Sequence, residues 1–146
     1  LVVQLDGARH RQRVAEDQRL GARVHAVLAV MLEQALAPGK RVAAVMARAI
    51  INAEAKIGNN VIVNTGAIVE HECIIGNHVH IATGAKLAGS VTVENATLIG
   101  IGATIRQGVR IGKNVIVGAG AVVVNDVPDN VVVVGVPARI LRKSDT

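Results

Sequence analysis

Residues 57–122 read IGNNVI VNTGAI VEHECI IGNHVH IATGAK LAGSVT VENATL IGIGAT IRQGVR IGKNVI VGAGAV, a six-residue repeat that runs without a slip. The first position is Ile57, Val63, Val69, Ile75, Ile81, Leu87, Val93, Ile99, Ile105, Ile111 and Val117, always a branched aliphatic. The fifth is Val61, Ala67, Cys73, Val79, Ala85, Val91, Thr97, Ala103, Val109, Val115 and Ala121, always small. A period of six suits neither an amphipathic helix nor an alternating hairpin. It suits a parallel β-helix with one short strand and one turn per hexapeptide. Three hexapeptides then close a triangular coil, and the first-position aliphatics point inward, stacked coil on coil at about 4.8 Å. The fifth residue also faces inward, close to a corner where a larger side chain would meet the next wall. Gly and Asn at the turns supply the positive φ that tight corners demand.

Outward from this core the pattern changes in both directions. Toward the N-terminus, Val45 and Ile51 keep the register of Ile57, with Ala43, Ala49 and Ala55 at the small position, so the β-helix is expected to start near Leu36 with Pro38-Gly39 as its first corner. The expected β-helix domain is 36–142. Residues 1–30 read as a short strand–helix–strand segment, with the helix over 8–20 stopped by Gly21. So small an α/β unit is a remnant or a cap on the solenoid's end. Its Arg9, Arg11, Arg13, Arg19 and Arg23 suit a phosphate site or, more commonly, a solvated helix face. Past Val122 the repeat loosens. Asn125-Asp126 and Pro128-Asp129-Asn130 are turn chemistry, residues 131–134 are one more strand, and Gly135 to Arg139 lead into a short basic tail whose proline stops strand addition.

A chain of 146 residues is one domain's worth of solenoid. No apolar run is long enough to span a membrane and no secretory leader is evident. Cys73 is the single cysteine, which fits a reducing cytoplasm. The net charge of +5 suggests an anionic partner, but the basic residues are spread along the chain and there is no Phe, Tyr or Trp. Without stacking platforms, nucleic acid is not the expected partner.

Residues 69–74, VEHECI, put His71 at the third position of its hexapeptide, outside the prism and between Glu70 and Glu72. An imidazole beside a carboxylate has what a general base needs: an acceptor nitrogen that titrates near neutrality and an anion that fixes the tautomer. Glu72 is the better candidate for that anion, although adjacency does not decide between it and Glu70. The same pattern also suits a surface histidine in a charged turn. His78 falls at a turn, and His80, at a sixth position, points sideways toward a groove. His71, His78 and His80 are the set to weigh as metal ligands, but they would have to meet across a subunit boundary, and no metal is expected.

The hexapeptide run and the ending VGVPAR at 134–139 resemble the left-handed β-helix acyltransferases. The segment NTGAIVEHECIIGNHVHIATGAKLAGSVTV at 64–93 resembles one branch of them, the bacterial sugar O- and N-acetyltransferases of the sialic-acid and bacillosamine type. The resemblance covers 36–142 and, weakly, the first segment. It implies a left-handed coil, a homotrimer, and acetyl-CoA in the groove between neighbouring β-helices. It implies His71 as the general base toward a sugar amine or hydroxyl, and Glu72 as the residue that raises its basicity. His80, Gly89, Ile101 and Ala119 match positions along the cofactor, and Cys73 has no catalytic role. That family usually carries an N-terminal nucleotide-sugar domain, of which this chain holds at most the last strand and helix. Two other readings of the same fold are a non-catalytic trimeric scaffold and a metalloenzyme of the γ-carbonic-anhydrase kind, whose ligand spacing is not found here.

Overall fold

The structure, a computed structural model, describes residues 44–144. The strand–helix–strand segment expected over 1–30 and the corner expected at Pro38-Gly39 lie outside the described residues. From Ala44 each hexapeptide contributes one two-residue strand. In chain order these are β1 (Ala44–Val45), β2 (Ile50–Ile51), β3 (Lys56–Ile57), β4 (Ile62–Val63), β5 (Ile68–Val69), β6 (Ile74–Ile75) and β7 (His80–Ile81). There follow β8 (Lys86–Leu87), β9 (Thr92–Val93), β10 (Leu98–Ile99), β11 (Thr104–Ile105), β12 (Arg110–Ile111), β13 (Ile116–Val117) and β14 (Val122–Val123). Two longer strands, β15 (Val131–Val134) and β16 (Arg139–Lys143), end the fold.

Pairing within the coils is parallel and joins each residue to the one 18 positions on: Ile62 with His80, His80 with Leu98, Leu98 with Ile116. Three hexapeptides therefore make one coil of a left-handed β-helix of about five turns. The strands stack into three faces. The first runs β1-β4-β7-β10-β13-β15-β16, the second β2-β5-β8-β11-β14, and the third β3-β6-β9-β12.

Every first-position aliphatic from Ile57 to Val117 is buried, and so is every fifth-position residue from Val61 to Ala121. Each buried Val, Ile or Leu contributes roughly 1.5–3 kcal/mol relative to exposure. Fifth-position alanines also let the corner close on itself: Ala67, Ala85 and Ala103 donate their N–H to the carbonyls of Asn64, Ala82 and Gly100 at 3.0–3.1 Å. Where the fifth residue is polar, it joins the corner one coil above instead. The Thr97 hydroxyl donates to the Gly112 carbonyl at 2.8 Å and accepts the Val115 N–H at 3.1 Å. The Cys73 thiol likewise donates to the Ala88 carbonyl at 3.2 Å.

The fourth position of each hexapeptide turns the corner with positive φ. Glycine stands there at 66, 84, 102, 108 and 120, and Asn at 60 and 114, as expected. Arg48, Glu54, Glu72, His78, Ser90 and Ala96 adopt the same conformation, with φ of 57–61°. A left-handed L-residue costs roughly 1–2 kcal/mol. The coil offsets it through the backbone: the Glu72 N–H donates to the Ala53 carbonyl at 3.1 Å and the Ser90 N–H to the His71 carbonyl at 2.8 Å.

The C-terminal end corrects one expectation. Residues 139–143 are not a tail beyond the last strand; they run back antiparallel along β15, with an irregularity between Val132 and Val133. Gly135, at φ 96°, sits in the turn that reverses the chain, and Pro137 lies in that turn, where no ladder donor is required. The final coil is also shorter, since Ile116 pairs with Val132. Among the described residues no helix is long and apolar enough to cross a membrane.

Ile99 is fully buried in the stack, so Ile99→Asp places an unpaired carboxylate among aliphatics and is expected to destabilise the fold by several kcal/mol, read as a lower denaturation midpoint. Ala96 is exposed and left-handed. Ala96→Gly relieves that strain at some cost in unfolded-chain entropy, and a denaturant titration should show a net gain of about 0.5–1 kcal/mol.

Candidate active site

The corner between the second and third faces recurs in every coil, so its third positions form the column Ala53, His71, Gly89 and Gln107, and its fourth positions the column Glu54, Glu72, Ser90 and Gly108. His71 and Glu72 are both exposed. His71 Nδ1 lies 3.1 Å from Glu72 Oε2. The choice between the two flanking carboxylates is made by the neighbouring coils. Asn52, one coil below, donates its Nδ2 to Glu70 Oε2 at 2.6 Å and holds Glu70 down. Ser90, one coil above, donates its hydroxyl to Glu72 Oε2 at 3.2 Å, the same oxygen that meets His71.

These contacts hold the Glu72 carboxyl below its ordinary pKa, chiefly through the hydrogen bond from His71, then that from Ser90, then the charge of the imidazole. A depressed carboxylate contributes its interaction above the unfolded pKa and loses it as pH falls through the folded one, so Glu72 stays anionic throughout the neutral range. With Nδ1–H directed at that anion, Nε2 carries the free lone pair. Nε2 and Cε1 lie over Gly89, where an added Cβ would stand 2.5 and 2.6 Å from them. Gly89 is buried under the ring. The pair thus has one ring nitrogen on a carboxylate and the other beside a glycine that has no side chain, a geometry in which the imidazole can take a proton.

Cys73, next in sequence, points inward. It is buried, and loss of hydration pushes its thiol pKa up, which leaves it a packing residue and not a thiolate nucleophile.

The remaining singled-out residues lie elsewhere on the prism. His80, in β7, is partly buried on the first face, with its Nε2 3.4 Å from Asn64 Nδ2. Ile101 and Ala119 occupy the corner between the first and second faces, one coil apart and joined by the bond from the Gly120 N–H to the Ile101 carbonyl at 2.8 Å. Ile101 is 62% exposed, a large apolar side chain open to a ligand or a second chain. One chain thus brings together His71, Glu72 and Gly89 but leaves His80 on the first face and Ile101 and Ala119 along a different edge. His78 is at the third corner, 3.0 Å from Asn60 through Nδ1. Among the described residues no group of three or more His, Cys, Asp or Glu is placed to hold a metal ion.

Ser90, Asn64 and the Asn52–Glu70 tie were not singled out from sequence. The signal for two of them was present, because Ser90 is Glu72 plus one coil of 18 and Glu70 is Asn52 plus one coil.

Comparison with known proteins adds three findings. The family described as bacterial transferase hexapeptide (six repeats) matches residues 54–89 and 90–125. No curated protein sequence matches the chain significantly. Among solved structures, the acetyltransferase domain of PglB from Neisseria gonorrhoeae in complex with acetyl coenzyme A is 40% identical with a TM-score of 0.69, covering 73% of this chain and 53% of that one. PerB from Caulobacter crescentus in complex with CoA and GDP-perosamine is 42% identical with a TM-score of 0.63, covering 72% of this chain and 52% of that one. An Arabidopsis UDP-N-acetylglucosamine acyltransferase is 25% identical with a TM-score of 0.61, covering 68% and 40%. The chain spans about half the length of the two bacterial structures.

Gly89→Ala puts a methyl into the space of the His71 ring, which is a side-chain end and able to move. The variant is expected to keep its stability within about 0.5 kcal/mol while shifting the imidazole resonances of His71 in a two-dimensional NMR spectrum.

Proposed function

The repeat region of this chain belongs to the bacterial transferase hexapeptide family, and from that membership we propose that the protein is an acetyl-CoA-dependent acetyltransferase that acylates an amino or hydroxyl group of a sugar or nucleotide sugar. The observation that carries this is the His71–Glu72 pair seated over Gly89, in a β-helix similar to two that hold acetyl-CoA or CoA.

The acceptor's amine or hydroxyl attacks the thioester carbonyl while His71 Nε2 takes its proton. The Nδ1–H bond to Glu72 stabilises the imidazolium as it forms. The carbon–sulfur bond breaks, the acetyl group stays on the acceptor, and the proton passes from His71 to the departing thiolate. No acyl-enzyme is needed, in keeping with the buried, inward Cys73.

His80, Gly89, Ile101 and Ala119 are the proposed contacts of acetyl-CoA. Since His71 lies on one edge of the prism and Ile101 and Ala119 on another, a homotrimer accounts for both sets: the base of one copy works beside the cofactor edge of the next, with acetyl-CoA in the groove between them. The reaction is assigned to the cytoplasm, where a lone free cysteine remains reduced. A sugar acceptor is proposed because PerB is seen with GDP-perosamine, and a nucleotide-sugar domain is not among the described residues.

The test is acetyl-CoA-dependent thiol release with a panel of amino-sugar nucleotides, amino sugars and simple amines. Release should require an acceptor and fall about 10²–10⁴-fold in His71→Ala with the melting temperature unchanged. A folded His71→Ala protein with the parent's rate would refute the base. Absence of both release and calorimetric acetyl-CoA binding in the parent would favour a non-catalytic scaffold.

A further inference from the structure

We infer that Ser90 is a positioning residue of the His71–Glu72 pair, reaching from the coil above to fix the carboxylate that fixes the imidazole. Its hydroxyl and His71 Nδ1 meet the same oxygen, Glu72 Oε2, at 3.2 and 3.1 Å. An exposed glutamate with one partner is free to swing into water, and exposed pairs of that kind contribute little. Held at one oxygen by donors from two different coils, it cannot rotate without breaking a bond. Ser90 also holds the base through the main chain, since its N–H donates to the His71 carbonyl at 2.8 Å. Both members of the pair are thus tied to one residue of the next coil.

The backbone supports the same inference. Ser90 has φ 58° at a hexapeptide position where Gly108, one coil up, turns the same corner without a side chain, and where Gly66, Gly84, Gly102 and Gly120 turn another. Nothing in the turn itself needs the hydroxyl, whose partner is Glu72. One coil further up stands Gly108, which offers no side chain to compete for that hydroxyl. Second contacts of this sort set how closely a catalytic group keeps its productive geometry.

The experiment compares Ser90→Ala and Ser90→Gly in the parent and in a Glu72→Gln background. Alanine keeps the strained backbone and glycine relieves it, and both remove the hydroxyl. If the hydroxyl matters, both lower kcat by about 3–10-fold with KM for acetyl-CoA unchanged, and neither lowers it further once Glu72 is Gln. A carbon-detected NMR titration of the Glu72 carboxyl runs beside it, with the midpoint expected to rise in both serine variants. Parent-like kcat, an equal loss in the Glu72→Gln background, or an unmoved carboxyl titration would each overturn the inference. The kinetic arm rests on the proposed acetyl transfer, whereas the titration does not. Failure of that reaction, seen as no acceptor-dependent thiol release by the parent, is therefore distinct from failure of Ser90, which the carboxyl titration reads by itself.

Discussion

The structure depends on the hydrogen-bond ladder between coils. The Ile74 N–H meets the Val91 carbonyl at 2.9 Å and the Gly76 N–H the Val93 carbonyl at 2.7 Å, and the same step recurs along all three faces. Up to its last, shorter coil the ladder keeps one coil length of 18 residues. A single inserted residue would turn inward aliphatics outward over every later strand of that face. The same insertion between Glu72 and Ser90 would also take the serine off the carboxylate, so one register aligns the core and the pair of groups on its surface.

That dual use explains why the chemistry is found at a corner. The inward positions are filled by stacked aliphatics and the face positions lie in short ladders, while at the corners third and fourth residues such as His71 and Glu72 stand exposed. Corners also repeat in columns, which lets a side chain receive a partner from above or below without any loop insertion. The cost is conformational: Glu72 and Ser90 both occupy a backbone region that glycine enters more easily. Two coil-to-coil backbone bonds hold them there.

The fold was legible because a six-residue period is a property of the covalent chain, and burial of Ile57 through Val117 followed from it directly. The pairing of His71 was only half legible. Two carboxylates flank it in sequence, and the decision between them is made by Asn52 and Ser90, each in an adjoining coil. Ser90 was not singled out, since a hydroxyl at a corner has many local uses. Positive φ at Glu, Arg, His and Ala ran against local propensity, which the ladder overrides. His80, Ile101 and Ala119 were placed near a cofactor by resemblance, and one chain sets the first on a face and the other two on another edge from His71. The strand at 139–143 was missed because RILRK shows no alternation, and its pairing comes from the open side of β15 that it covers.

That returning strand bears on how separate molecules meet. A stack of parallel strands ends in a row of unsatisfied donors and acceptors, a template on which another solenoid can add in register and propagate a fibre. Here the outer side of β15 is occupied by a strand of opposite polarity carrying Arg139, Arg142 and Lys143. A newcomer arriving on the first face would meet an antiparallel, positively charged rim. The edge left on that face runs antiparallel to the coils and is basic, which disfavours the in-register addition of another parallel coil there.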